Sequence, residues 1–90
     1  MAATFNLSVL TPERAVFEGV VEYVQVPGTE GYLGVLANHA ALVTSMKPGT
    51  LTVRRDGGEV STFGVTGGFF EVSHNQATVL ADAVTEAGKA

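Results

Sequence analysis

The sequence predicts an all-β domain, a sandwich or a barrel, and two observations carry that prediction. Apolar and polar residues alternate with a period of two in runs such as "TFNLSVL", "VVEYVQV" and "EVSTFGV", which is typical of half-buried strands. Turn-forming residues separate these runs at short, even intervals. Short strands with turns every ~8–12 residues indicate a sandwich or a barrel.

The runs also predict which residues face inward. In "VVEYVQV", Val20, Glu22, Val24 and Val26 share one face, and the residues between them share the other. Across the chain we expect one mostly buried set: Phe5, Leu7, Val9, Val24, Val26, Leu33, Val53, Phe63, Val65, Phe70, Val72, Val79 and Leu80.

Two hairpins are expected from turn chemistry. In "RRDGGEV", Asp56-Gly57 suits the positive φ angles of a type I′ turn between alternating strands. In "EVSHNQATVL", His74-Asn75 is placed near the tip of a second hairpin. The segment "ANHAALVTSM" contains helix-favouring alanines but also β-branched residues, and we interpret it as a loop that enters a strand. We expect a sandwich domain over 1–84 and a short tail over 85–90, too short for a stable helix.

Composition excludes several classes of protein. The chain has 90 residues, no cysteine, 46% hydrophobic residues and a net charge of −4, so one domain must be held together by apolar packing alone. An acidic surface argues against nucleic-acid binding, and no apolar run approaches the ~20 residues of a membrane-spanning helix. We therefore expect no nucleic-acid partner and no direct membrane insertion.

The candidate residues for chemistry are few and poorly grouped. Gly28, Gly31 and Gly34 match neither phosphate-binding fingerprint, since no Gly-Lys-Ser/Thr and no long helix follow. His39 and His74 stand far apart in sequence without acidic residues at metal-ligand spacing. We expect no metal, no cofactor and no catalytic residue, and His39 is either a structural histidine or an interface residue.

The order of landmarks resembles the epsilon subunit of the rotary proton-translocating ATP synthase. The motifs are "VPGTEGYLG", "HAALV", "KPG" and "GGFFEV", and the resemblance runs from about Phe5 to Asp82. It implies a flattened β-sandwich of about ten strands in a non-catalytic central-stalk subunit. Such a subunit binds gamma and the c ring, and the rest of the catalytic head indirectly. It couples proton translocation to ATP synthesis.

The resemblance also implies contact residues. The turn that would face the polar loops of the c ring comprises Thr29, Glu30, Gly31 and Tyr32. The segment that would lie against gamma comprises Asn38, His39, Ala40, Ala41, Leu42 and Thr44. Many relatives have an acidic residue where this chain has Tyr32, so a charge contact with the ring would depend on Glu30.

The resemblance further implies a location and a missing element. The subunit would be peripheral, at the cytoplasmic face of the bacterial cell membrane through the complex, rather than at a plastid thylakoid. Relatives continue into two inhibitory C-terminal helices, which "AVTEAGKA" cannot form, so we expect a coupling part without that arm.

Two alternatives remain open from the residues alone. A free-standing ligand-binding β module would require a closed apolar cavity with convergent polar groups beside His39. An enzyme would require Ser45 or Ser61 to act with a histidine, although no nucleophile-elbow glycines surround either serine.

Overall fold

A computed structural model describes residues 3–89, with side chains through residue 86. All of its regular elements are strands. They are β1 (Phe5–Leu10), β2 (Ala15–Gly28), β3 (Gly31–Leu36), β4 (Leu42–Met46), β5 (Gly49–Arg55), β6 (Val60–Val65), β7 (Gly68–Ser73), β8 (Gln76–Ala81) and β9 (Val84–Lys89). The all-β prediction is confirmed, with nine strands in the described part. None of the described residues belongs to a helix of the length and hydrophobicity needed to cross a membrane.

The strands form a sandwich whose two layers share the long strand β2. One layer has the order β1-β8-β7-β4, and the other contains β3, β2, β5, β6 and β9. The first part of β2 pairs with β1, and its second part pairs with β3 and β5. Most pairs are antiparallel, but β1 and β8 run parallel. Because β2 belongs to both layers, the two halves are joined by backbone as well as by core packing.

A β-bulge at Glu22 changes which residues of β2 face inward. Val21 pairs with Arg55, and Tyr23 pairs with Arg54, so Glu22 is the extra residue of the bulge. A bulge shifts the alternation by one residue, and Val21 and Val24 are therefore both fully buried. The prediction that Val21 lies on the opposite face from Val24 was wrong because strict alternation takes no account of a bulge.

One hydrophobic core fills the space between the layers. Of the thirteen residues predicted to be buried, eleven are buried and Leu33 packs partly against the core. Leu80 is 47% exposed, because its neighbour Val79 faces the core and adjacent strand residues point to opposite faces. Six further residues of the hydrophobic core were not predicted to be buried: Val21, Val35, Met46, Leu51, Ala77 and Ala81.

The turns differ in detail from their predicted types. The β7–β8 hairpin has His74 and Asn75 at its tip, with φ angles of 52° and 60°, which is the type I′ arrangement. The β5–β6 hairpin forms where predicted, but its positive φ angles fall on Gly57 and Gly58, not on Asp56. Its loop is longer, since the Arg55 amide donates to the Glu59 carbonyl oxygen at 2.7 Å.

The end of the described chain is a strand and not a tail. Residues 84–89 form β9, which pairs antiparallel with β6, for example Val84 with Val65 and Thr85 with Gly64. The unpaired edge of β6 offers backbone hydrogen bonds that a short segment lacks on its own. Residues 85–89 therefore extend the sheet beyond the expected boundary at residue 84, and residue 90 lies outside the described residues.

Candidate functional site

The turn predicted to contact the c ring projects from one end of the sandwich. Thr29 and Glu30 form the two-residue connection between β2 and β3, and both are exposed. The turn is not a free loop, because the Thr29 amide donates to the Ser45 carbonyl oxygen of β4 at 3.1 Å. Glu30 is thus presented to solvent from a backbone that neighbouring strands hold in place.

Tyr32 has a structural contact of its own. The residue is 52% exposed, but its hydroxyl accepts a hydrogen bond from the backbone amide of Thr50 in β5 at 3.1 Å. The phenol therefore ties the β2–β3 hairpin to the start of β5. The Tyr32 hydroxyl, two residues after Glu30, is therefore engaged in an intramolecular hydrogen bond.

The segment predicted to contact gamma begins in the loop between β3 and β4. Asn38 has a positive φ of 66°, and its side-chain oxygen accepts from Asn75 Nδ2 at 3.0 Å. In return the Asn38 amide donates to Asn75 Oδ1 at 2.6 Å. Next to it, the His39 Nδ1 atom lies 2.7 Å from the Ala40 carbonyl oxygen. Two loops that are distant in sequence are therefore joined by one hydrogen bond between side chains and one from backbone to side chain.

Replacing Asn75 with glycine should loosen the 38–41 loop selectively. Glycine retains the positive φ of this position without strain, but both hydrogen bonds to Asn38 are lost, at about 0.5–1.5 kcal/mol each. Hydrogen exchange at the Asn38 amide should become faster. The equivalent substitution His74→Gly keeps both asparagines and should leave that amide protected; equal exchange in both variants would contradict the assignment.

Strand β4 presents a residue that the sequence did not single out. Leu42 and Thr44 are half-buried, whereas Val43 between them is 71% exposed. Val43 pairs with Glu71, and the next outward residue of β7 is Phe69, which pairs with Leu80. Val43, Phe69 and Leu80 are all exposed on the outer face of this layer, where Glu71 lies opposite Val43 and Ser45 lies opposite Phe69. We call these three apolar residues the apolar strip. The alternation of β4, β7 and β8 could have indicated it.

An open depression lies beside the 38–41 loop. It has a volume of about 490 Å³, and both histidines line it together with the paired asparagines. Ser73 Oγ lies 2.8 Å from His74 Nδ1. The depression is open to solvent, so it does not provide the closed cavity that a ligand-binding module requires.

The remaining polar groups offer little for catalysis. Ser61 is buried in β6 and its hydroxyl has no hydrogen-bond partner. Within residues 3–89, no cluster of three or more His, Cys, Asp or Glu side chains could hold a metal ion. An ion pair joins Arg54 Nε to Glu22 Oε1 at 3.2 Å. The same Glu22 carboxylate also stabilises the bulge, since its Oε2 atom accepts a hydrogen bond from the backbone amide of Gly57.

These features define a small all-β sandwich module with exposed turns and exposed apolar residues on one outer face. Residues 4–87 match the family model described as ATP synthase, delta/epsilon chain, β-sandwich domain. The chain therefore belongs to this family, as its landmarks predicted.

Curated relatives give the same result. The chain is 48% identical to the ATP synthase epsilon chain of Protochlamydia amoebophila over 80 residues, covering 89% of this chain and 54% of the relative. It is 51% identical to the epsilon chain of Afipia carboxidovorans, covering 92% and 60%. With that of Desulforamulus reducens the identity is 45%, covering 97% and 65%. The chain thus spans little more than half to about two thirds of these relatives.

Solved structures share the fold. One chain in the Euglena gracilis mitochondrial ATP synthase, in a structure of OSCP, F1 and c-ring, superposes with a TM-score of 0.88 at 24% identity. The match covers 96% of this chain and 55% of that one. A chain in the central stalk and c-ring structure of the Tetrahymena thermophila mitochondrial ATP synthase gives 0.75 at 21% identity, covering 92% and 66%.

Proposed function

We propose that this chain is the sandwich domain of a non-catalytic central-stalk subunit of ATP synthase. It binds the gamma subunit and the c ring, and it couples proton translocation to ATP synthesis. The observation that carries the proposal is the family match over residues 4–87. The subunit is held peripherally at the cytoplasmic face of the bacterial membrane by its partners.

The arrangement of the two predicted contact sets supports this role. Strand β4 links them, because it contains Leu42 and Thr44 of the gamma set and ends at Met46, which pairs with Gly28 beside the ring-facing turn. Four residue steps of a strand cover only about 14 Å. A torque-bearing part must not yield between its two contacts, and here a single paired strand of the sandwich connects them.

The gamma-facing surface includes the apolar strip. Val43 lies between Leu42 and Thr44 of the predicted gamma set, and Phe69 and Leu80 extend that surface across β7 and β8. A group of exposed apolar side chains on one face is typical of a protein–protein contact. Polar groups of the 38–41 loop, including His39, form its border, which is the usual anatomy of an interface.

The substitution Val43→Glu tests the gamma contact. A carboxylate placed in an apolar interface loses hydration without gaining a partner, so binding to gamma should weaken by about tenfold or more, which is the effect of losing a well-buried contact. Binding of the intact subunit to its cognate gamma subunit can be measured by titration calorimetry. The control is Leu36→Glu, since Leu36 is 57% exposed on the outer face of the other layer.

Three results distinguish the possibilities. Loss of binding with Val43→Glu alone supports the proposed face, and an equal loss with Leu36→Glu argues for a different face. If the unsubstituted subunit does not bind gamma at all, the proposed function is wrong. Both positions are exposed, so any loss of stability should be small. Val43→Glu places a second carboxylate opposite Glu71, so its midpoint of unfolding should fall slightly.

A further inference from the structure

The ring-facing end of the sandwich is composed of two turns joined by backbone hydrogen bonds. The Thr29 amide bonds to Ser45, and the Lys47 amide donates to the Pro27 carbonyl oxygen at 2.9 Å. The β2–β3 turn and the β4–β5 loop therefore form one continuous surface. We call this surface the rim, residues 29–32 and 47–49.

Close packing fixes the relative position of the two parts of the rim. A Cβ atom on Gly49 would lie 2.7 Å from the Pro27 Cβ and 2.8 Å from the Tyr32 hydroxyl oxygen. Only glycine therefore lets the β4–β5 loop approach the hairpin this closely. The Tyr32–Thr50 hydrogen bond holds the same contact from the other side. The loop that contains Lys47 is thus held against the turn that contains Glu30.

The rim carries two charges of opposite sign that do not pair with each other. Glu30 and Lys47 are both exposed. In the described part of the chain, neither the Glu30 carboxylate nor the Lys47 ammonium takes part in an ion pair. Both charges remain available to an external partner, and the backbone that holds them is already fixed.

We infer that Lys47 is a second charged contact residue of the rim. Lys47 contacts an acidic group on a polar loop of the c ring. The same loop has a basic or amide group that contacts Glu30. A loop with only basic groups would be attracted by Glu30 but repelled by Lys47, so the two charges select a loop of mixed charge. Tyr32 acts as a positioning residue that holds the two charges in register. This inference rests on the proposed function and specifies its ring contact.

Binding measurements on the intact subunit test the inference. The two titrants are the gamma subunit alone and a detergent-solubilised gamma–c-ring subcomplex, each at low and high salt. Lys47→Gln should weaken binding to the subcomplex about two- to fivefold at low salt, as expected for one exposed ion pair. Lys47→Glu should weaken it further, and Lys47→Arg should not. High salt should reduce these differences because exposed charges are screened.

Matched variants separate the rim from general effects of charge. Arg14→Gln removes an exposed cation in the β1–β2 turn, at the opposite end of β2, and should leave both affinities unchanged. Tyr32→Phe keeps the ring but removes the hydroxyl that accepts from Thr50. Tyr32→Phe should weaken binding to the gamma–c-ring subcomplex but not binding to gamma alone, and the loss should not depend on salt.

The possible outcomes are distinct. If Glu30→Gln weakens binding to the subcomplex but Lys47→Gln and Lys47→Glu do not, Lys47 is not a contact residue and the inference is overturned. Tighter binding of Lys47→Gln would mean that the ring loop is wholly basic, which also overturns it. An unsubstituted subunit that fails to bind gamma alone contradicts the proposed function itself, independently of the rim.

Discussion

Replacing Phe70 with alanine should reduce the free energy of unfolding by about 3–5 kcal/mol. Phe70 is the largest fully buried side chain of the core, so its removal loses buried apolar surface and leaves a cavity between the two layers. A domain of this size has a total stability of only about 5–15 kcal/mol. The variant should therefore be close to unfolded at moderate temperature, which chemical denaturation followed by circular dichroism will measure.

The neighbouring residue provides the control. Phe69 has the same side chain, lies one position earlier in β7 and is 56% exposed on the outer face. Phe69→Ala should change the unfolding free energy by no more than about 1 kcal/mol, since little apolar surface is re-exposed. If the proposed gamma face is correct, this variant should still weaken gamma binding. Equal destabilisation by the two substitutions would mean that the inward face of β7 is assigned wrongly.

The period-two pattern predicted most of this fold because nearly every strand has one buried face. Where alternation is regular, as in β1 and β7, the inward residues were identified correctly. The exceptions have local causes that the pattern does not encode. Glu22 is stabilised in a bulge by Arg54 and the Gly57 amide, which come from a distant hairpin. Strand β9 exists because β6 offers it an edge.

The candidate surfaces could be predicted only in part. Turn chemistry and family landmarks indicated the ring-facing turn and the segment around His39, and those contacts remain predictions. No pattern in the sequence indicated that Asn75 holds the 38–41 loop, because Asn75 and Asn38 are 37 residues apart in sequence. The position of Lys47 beside the β2–β3 turn could not be predicted either, because it depends on hydrogen bonds between two turns that are separate in sequence.

Gly68 is the position where a single added methyl group should do the most damage. It begins β7 with φ of +126°, a conformation that other residues rarely adopt. A Cβ atom there would collide with the Leu80 carbonyl oxygen and lie 2.9 Å from the Ala81 Cα. Backbone strain of about 1–3 kcal/mol and overpacking of about 1–3 kcal/mol together give a loss of about 2–6 kcal/mol for Gly68→Ala.

The preceding glycine separates these two contributions. Gly67 has a similar φ of +134°, but a Cβ there would meet its nearest neighbours, Asp82 Oδ2 and the Met46 carbonyl oxygen, at an ordinary 3.6 Å. Gly67→Ala should therefore show the strain alone, and the difference between the two variants in urea denaturation measures the collision with β8. The pairing of β7 with β8 at Leu80 and Ala81 requires this close approach. If both substitutions cost the same, the two strands can separate locally, and the layer that carries the apolar strip is less rigid than a torque-bearing part requires.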